Sequence, residues 1–129
     1  DIDPEMLDRA RRGVYSRGSL KGMPGGWLEE AFEREGALYK VRTPFRDRIV
    51  WLRQDIRHET PEGTFDLVLC RNLVFTYFDK PLQIEILARV GKVLRPNGAL
   101  VLGIHESLPE GSREFSPWLA SLRTYRREP

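Results

Sequence analysis

The sequence predicts an α/β fold built around a parallel sheet. The run "FDLVLC" at 65–70 is short, unbroken and apolar, as is typical of a strand in the centre of such a sheet. A strongly helical stretch follows at 79–94, and then a Pro-Asn-Gly turn leads into the second apolar run "GALVLGI". Strand, helix, turn and strand in this order predict a βαβ unit with two parallel strands.

The chain opens on a predicted helix. Asp3 can cap it, Pro4 suits its first turn, and Glu5 favours the positive end of the helix dipole. Its apolar side chains fall on one face: Met6, Leu7, Ala10 and Val14. Asp1 and Ile2 are then expected to be the last residues of the element that precedes this helix.

The next part of the sequence predicts a loop, a short helix and two strands. The loop is "GSLKGMPGG", and "WLEEAFERE" places Trp27, Leu28, Ala31 and Phe32 on one side of a helix. The runs "ALYKVRTPF" and "DRIVWLRQDI" are rich in β-branched and aromatic residues and predict strands. The segment "TPFRDR" between them is short enough for a hairpin or a tight connection.

The central helix has the clearest pattern in the chain. Pro81 lies near its start and Lys92 and Arg95 near its end. A wide apolar stripe runs along it: Leu82, Ile86, Leu87, Val90, Val93 and Leu94. Beyond the second strand, "WLASLRTYRRE" predicts a short helix or bend and then an edge strand.

Composition excludes several classes of protein. The 21 basic and 19 acidic residues nearly cancel, which argues against a nucleic-acid partner. A single cysteine rules out a disulfide framework, and two histidines, His58 and His105, are too few and scattered for a metal site. No apolar run approaches the ~18 residues of a membrane span, so we expect a cytoplasmic protein that is not itself a membrane protein. The opening "DIDPEM" has neither an initiator Met nor a signal-peptide pattern.

Polar and aromatic residues crowd the end of the first buried strand, in "CRNLVFTYFDK". Five segments occur along the chain in this order: "DIDPEMLDRARRGVY", "VRTPFRDRIVWLRQDI", "FDLVLCRN", "YFDK" and "VLRPNGALVLG". With these segments the chain resembles the catalytic domain of CheR-type protein-glutamate O-methyltransferases, which methylate chemotaxis receptors. The resemblance implies S-adenosylmethionine as cofactor and S-adenosylhomocysteine as product. Its partner would be a receptor-type protein substrate that carries glutamates.

The resemblance also implies a Rossmann-like class I methyltransferase sheet of order 3-2-1-4-5 with a terminal antiparallel pair. Its first strand and Gly-rich loop would precede Asp1, so residues 1–129 are expected to form part of a catalytic domain and to bind cofactor weakly alone. Residues of about 32–50 would form a small β insertion. In some relatives this subdomain binds a receptor tail peptide, although the short connection here favours a plain hairpin.

Four residues are implied to bind the cofactor. Asp1 would accept hydrogen bonds from the ribose hydroxyls and Asp55 from the adenine amino group. The Asn72 side chain would reach the cofactor, with the Leu73 backbone against adenine or methionine. Each aspartate has an ordinary alternative, Asp1 as a helix-flanking acid and Asp55 as a loop residue, and Asn72 could simply end the strand.

The aromatics after Asn72 would wall the acceptor side. Tyr77 is the candidate catalytic residue, able to orient an incoming carboxylate with its hydroxyl, or else it is a packed aromatic. Phe75 and Phe78 are expected in the core or a lid. Arg71 is expected to brace the loop through a salt bridge, or else to pair with a carboxylate of the cofactor or substrate. The usual His-Ser-Glu of the family is here His105, Glu106 and Ser107, so neither His105 nor Glu106 is assigned a catalytic role.

Two other functions fit the same residues. One is a methyltransferase with a different protein or a small molecule as acceptor, because the fold and cofactor site do not determine the acceptor. The other is a non-catalytic regulatory domain that keeps the sheet but has lost the cofactor loop.

Overall fold

Helices and strands are interspersed through residues 1–129, all of which the computed structural model describes, and the α/β class is confirmed. The helices are α1 Pro4–Arg12, α2 Gly25–Ala31, α3 Thr43–Arg46, α4 Val74–Tyr77 and α5 Lys80–Val93. The strands are β1 Val14–Ser16, β2 Phe32–Glu35, β3 Leu38–Val41, β4 Phe65–Cys70, β5 Leu94–Leu102, β6 Phe115–Leu119 and β7 Thr124–Arg127. The chain divides into two compact units, Asp1–Gln54 and Asp55–Pro129.

Helix α1 begins and ends where its caps require. The Asp3 carboxylate accepts the backbone N–H of Glu5 at 2.8 Å, which satisfies a donor that the first turn leaves free. Gly13 ends the helix in the left-handed conformation (φ 63°). Val14, expected on the apolar face of this helix, therefore belongs to β1.

The first unit contains a three-stranded antiparallel sheet of order β1-β3-β2. Phe32 pairs with Val41 in the β2–β3 hairpin, and Val14 pairs with Lys40 on the other side of β3. The expected helical continuation through "FERE" is wrong, because β2 forms its backbone hydrogen bonds with β3. Strand β1 was not predicted, since three residues carry too short a pattern.

The strand expected in "DRIVWLRQDI" is absent, and no hairpin joins it to β3. Instead, the Asp1 amine donates to the Leu52 carbonyl at 3.1 Å, and the Gln54 N–H donates to the Asp1 carbonyl at 3.1 Å. Two such bonds on either side of Arg53 have the pattern of one parallel β bridge. This stretch therefore runs beside Asp1 and not beside β3.

The second unit is a four-stranded mixed sheet of order β4-β5-β7-β6. Strands β4 and β5 are parallel and are connected through α4 and α5, as the βαβ prediction requires. Strand β7 is antiparallel to both β5 and β6, so the last strand lies inside the sheet and the expectation of an edge strand is wrong. The edge is β6, where Pro117 is tolerated because an edge strand need not donate on both sides.

The predicted turn at "RPNG" forms a bulge within β5. Phe65 pairs with Leu94 and Leu67 with Ala99, so two steps along β4 match five along β5. Asn97 adopts φ 64°, the left-handed conformation that asparagine tolerates better than most residues. The turn chemistry was therefore correct, although the residues lie inside a strand.

One apolar core holds the second unit together. It joins one face of α5 to β5, α4 and β6, and its buried members are Val74, Ile86, Leu87, Val90, Leu94, Leu100, Leu102 and Phe115. No helix of the chain is long and apolar enough to cross a membrane.

Strand β4 departs from its prediction. Leu67 and Leu69 are 53% and 66% exposed, although the unbroken apolar run predicts burial on both faces. The expectation is wrong because only the opposite face of β4, which carries Val68 and Cys70, packs on the core.

Candidate functional site

The candidate site lies at the carboxyl ends of β4 and β5. Cys70 and Leu102 are neighbours in the parallel ladder, so the residues that follow them emerge side by side. Asn72 follows the first strand, and Gly103 and Glu106 follow the second. In open α/β sheets this edge is where ligands bind.

Asn72 has an unusual backbone conformation. Its φ of 57° lies in the left-handed region, which costs most residues about 1 kcal/mol or more and which asparagine adopts more readily. Its side-chain amide makes no hydrogen bond within the second unit. A group that can both donate and accept is therefore available at the strand end.

Glu106 joins the two strand ends. One carboxylate oxygen, Oε2, accepts the Asn72 N–H at 2.8 Å and the Gly103 N–H at 2.7 Å. The other, Oε1, accepts the Thr76 hydroxyl of α4 at 2.6 Å. The residue is only 3% exposed, so the carboxylate is buried and its partners lie on three segments of the unit.

Gly103 leaves the space that this arrangement occupies. A Cβ at position 103 would lie 2.7 Å from Oε2 of Glu106 and closer still to Oδ1 of Asn72. Both distances are far inside ordinary van der Waals contact. The close approach of these two oxygens requires glycine at position 103. The backbone conformation does not, because the φ of Gly103 is outside the left-handed region.

Two pKa values reflect the buried charge. Burial by itself raises the pKa of the Glu106 carboxyl, but the hydrogen bonds that it accepts outweigh burial, so its pKa lies below its ordinary value. Burial first, and then the Glu106 charge, raise the pKa of the Cys70 thiol to about 11. Glu106 is therefore ionised and Cys70 protonated at neutral pH.

Helix α4 separates the crowded aromatics into two groups. Val74 is fully buried, and Phe75 and Phe78 are partly buried against the core, as expected. Leu73 and Tyr77 are 45% and 74% exposed at the start and end of the same turn. Tyr77 is therefore not a packed aromatic, and its ring and hydroxyl are accessible.

Asp55 is engaged by its neighbour Arg57. The Arg57 Nη2 donates to Asp55 Oδ2 at 2.7 Å, and its backbone N–H donates to Oδ1 at 3.0 Å. The side-chain hydrogen bond from Arg57 is the main cause that lowers the pKa of Asp55 to about 2. Arg89 of α5 fixes this turn by donating to the Ile56 and Arg57 carbonyls at 2.7 and 2.8 Å.

Replacing Arg57 by alanine is expected to raise the pKa of Asp55 from about 2 towards the ordinary value of about 3.9. Because the pKa is lower in the folded state, the pair stabilises the protein above the unfolded pKa. That contribution is lost as pH falls from about 4 through 2. Carboxyl ¹³C NMR titration measures the shift directly.

Arg95→Ala is the matched control, because Arg95 pairs with Asp66 and not with Asp55. It should leave the pKa of Asp55 unchanged. An Asp55 pKa that stays near 2 in the Arg57 variant would contradict the assignment.

Asp1 belongs to the first unit, and its carboxylate Oδ1 accepts the Asp3 N–H at 2.9 Å. Asp3 is the helix cap, as the sequence predicted, so Asp1 is not needed for that role.

Two expectations about polar residues change. The structure contains no ion pair to Arg71, so its predicted salt bridge is wrong. His105 is exposed, whereas Glu106 is the residue on which the strand ends converge. The sequence did carry a signal for Glu106, namely an acidic residue just after the second parallel strand, but not the burial that gives it importance.

Comparison with known proteins gives a consistent family. The profile described as "CheR methyltransferase, SAM binding domain" matches residues 1–122. The chain is 36% identical over 124 residues to a chemotaxis protein methyltransferase of Salmonella typhimurium, covering 90% of this chain and 42% of the relative. The corresponding Escherichia coli protein is 35% identical over 123 residues, with the same coverage.

A third relative has a different printed role. The probable biofilm formation methyltransferase WspC of Pseudomonas aeruginosa is 30% identical over 110 residues, covering 83% of this chain and 26% of the relative. The chain spans about two fifths of the length of the two chemotaxis relatives.

Proposed function

Because the chain belongs to the CheR methyltransferase family, we propose that the protein transfers a methyl group from S-adenosylmethionine to a protein glutamate side chain, with chemotaxis receptors as acceptors. The observation that carries this proposal is Asn72, whose unpaired amide stands at the carboxyl end of β4 beside the buried Glu106. The printed names of the Salmonella and Escherichia coli relatives support the chemotaxis role.

Four residues have side-chain or backbone chemistry that suits the proposed cofactor. The Asn72 amide can donate to and accept from polar groups of the nucleoside or amino-acid portion. The Leu73 backbone is proposed to lie against adenine or methionine, and the residue is accessible at 45% exposure. Asp55 is ionised at neutral pH and is the proposed acceptor for the adenine amino group, which it would bind while keeping its bonds to Arg57. Asp1 is the proposed acceptor for the ribose hydroxyls.

The reaction requires little acid–base chemistry from the protein. When bound, S-adenosylmethionine would supply the methyl group of its sulfonium to a carboxylate oxygen, and the sulfur would keep the electron pair of the broken C–S bond. A glutamate with an ordinary pKa of about 4.3 is already ionised at neutral pH, so no general base is required. The protein contributes orientation of the two reactants and exclusion of water.

Tyr77 is the proposed residue on the acceptor side. Its hydroxyl can donate to the incoming carboxylate, and its ring can lie beside a cationic sulfur. Its 74% exposure leaves it accessible to a protein substrate. We place this reaction in the cytoplasm, where a single reduced cysteine such as Cys70 is ordinary.

The acceptor is tested by incubating the full-length protein with methyl-labelled S-adenosylmethionine and the cytoplasmic helices of a chemotaxis receptor. Label on receptor glutamates that mild alkali releases as methanol is the expected result, because a methyl ester is base-labile. Label that resists alkali, or none on the receptor, would contradict this acceptor. A different protein or a small molecule is the alternative acceptor to test next, because the fold and cofactor site do not determine the acceptor.

Replacing Asn72 by glycine is expected to raise the dissociation constant for S-adenosylhomocysteine roughly 2- to 10-fold, the range of one lost hydrogen bond. Glycine removes the amide without straining the left-handed backbone. Calorimetric titration of the full-length protein gives the constant.

Asn97→Gly is the control. Asn97 has the same left-handed conformation, but it lies in the bulge near the start of β5, away from the carboxyl end of that strand. Its binding should equal that of the unmodified protein. If the Asn72→Gly and Asn97→Gly variants have the same dissociation constant, Asn72 does not contribute to the binding site.

A further inference from the structure

We infer that Glu106 is a positioning residue for the cofactor site: its buried carboxylate fixes the Asn72 backbone in the left-handed conformation and thereby aims the Asn72 amide at the ligand. This inference rests on the proposed function, because it concerns the same edge of the sheet. Nothing in the family resemblance assigned Glu106 this role.

The hydrogen bonds show why a charged group is needed. Oε2 serves two backbone donors at once, the N–H groups of Asn72 and Gly103, at 2.8 and 2.7 Å. Bonds to an ionised acceptor are roughly twice as strong as those between neutral groups. A buried or partly buried N–H that is left without an acceptor is destabilising, so both strand ends depend on this one oxygen.

The third bond orients the carboxylate itself. Thr76 donates its hydroxyl to Oε1 at 2.6 Å, which fixes the plane of the carboxylate from the side of α4. The turn from Gly103 to Glu106 closes through the Glu106 N–H, which donates to the Gly103 carbonyl at 2.9 Å. Glu106 is thus held at both its backbone and its side chain, as a rigid support requires.

Gly103 shows that the Asn72 side chain is also confined. The space where a Cβ would stand at position 103 is bordered by Asn72 Oδ1 and by Glu106 Oε2. The amide therefore has its backbone fixed by Glu106 and its oxygen placed against Gly103. Loss of the carboxylate would release the first of these constraints and let the amide turn away.

The test is S-adenosylhomocysteine binding by the full-length protein, measured by calorimetry, with Glu106→Met as the main variant. Methionine keeps the length of the side chain but offers no strong acceptor, and a roughly tenfold weaker affinity is expected. Glu106→Gln is the conservative variant. Its carbonyl can face the two N–H donors while its NH₂ faces the Thr76 hydroxyl, so it should recover most of the affinity.

The Asn72→Gly background separates positioning from general loosening. If Glu106 acts through the Asn72 amide, Glu106→Met has no further effect on affinity once that amide is gone. Equal weakening in both backgrounds would overturn the inference, as would wild-type affinity in Glu106→Met. Glu110→Gln, an exposed glutamate of the same loop, is the matched control and should bind normally.

If thermal unfolding shows that Glu106→Met does not fold, variants of Thr76 test the inference instead. Thr76→Val removes the donor to Oε1 without changing the shape of the side chain, and a roughly threefold loss of affinity is expected with full recovery in Thr76→Ser. Unchanged binding in Thr76→Val would then overturn the inference. Absence of binding in the unmodified protein would overturn the proposed function first, and the inference with it.

Discussion

Replacing Gly103 by alanine is expected to lower the free energy of unfolding by about 1–3 kcal/mol, the usual cost of overpacking a well-filled site. The added methyl group would lie 2.7 Å from Glu106 Oε2 and nearer to Asn72 Oδ1. The carboxylate cannot move freely, since it is held by three hydrogen bonds, and the Asn72 side chain would have to turn away. Displacement of Asn72 should also weaken S-adenosylhomocysteine binding. Urea unfolding and calorimetry on the same samples measure both effects.

Gly26→Ala is the matched control for this change. Gly26 is in α2, and a Cβ there would meet no atom within 4 Å. Alanine in a helix is favoured over glycine by up to about 1 kcal/mol, so a neutral or slightly stabilising effect is expected. Equal stability of the Gly103 variant and the unmodified protein would mean that the space at position 103 is larger than the structure describes.

Replacing Leu100 by alanine is expected to cost about 2–5 kcal/mol of stability, the range of buried leucine truncations. Leu100 is fully buried in β5, between the parallel strand β4 and the antiparallel strand β7. The cavity would open in the core shared with α5, where no side chain is free to fill it. Chemical denaturation gives the difference in free energy of unfolding.

Leu69→Ala in the neighbouring strand is the comparison that makes this prediction specific. Leu69 is 66% exposed, so its truncation should cost about 0.5 kcal/mol or less. Similar losses in the two variants would show that the exposed face of β4 is covered in solution. A small loss in Leu100→Ala would contradict the position of the core.

The elements with local signals were predictable from the sequence. Asp3 and Asp79 cap α1 and α5 because a short acidic side chain reaches the free N–H groups of the first turn. The βαβ order follows from two apolar runs and one amphipathic helix. Asn72 was singled out correctly as a polar residue at a strand end, although its binding role stays a prediction.

Several errors concern the pairing of one segment with another. The helical pattern through Phe32 was overridden because its segment pairs with β3, and β1 pairs with the same strand, as in Tyr15 with Tyr39, 24 residues later in the chain. The last strand reads as an edge, yet it is inserted between β5 and β6. Pattern and propensity describe one segment at a time and cannot identify its neighbours.

The amino-acid sequence by itself determined the α/β class, the helix boundaries that have caps, and the family, since these depend on residue types at short spacing. Only the tertiary structure decided that Glu106 is the residue on which the site converges. Its importance comes from burial and from donors at positions 72, 76 and 103, up to 34 residues away. The sequence does not show whether a glutamate is exposed or buried. Only folding buries the Glu106 carboxylate and brings its hydrogen-bond donors together.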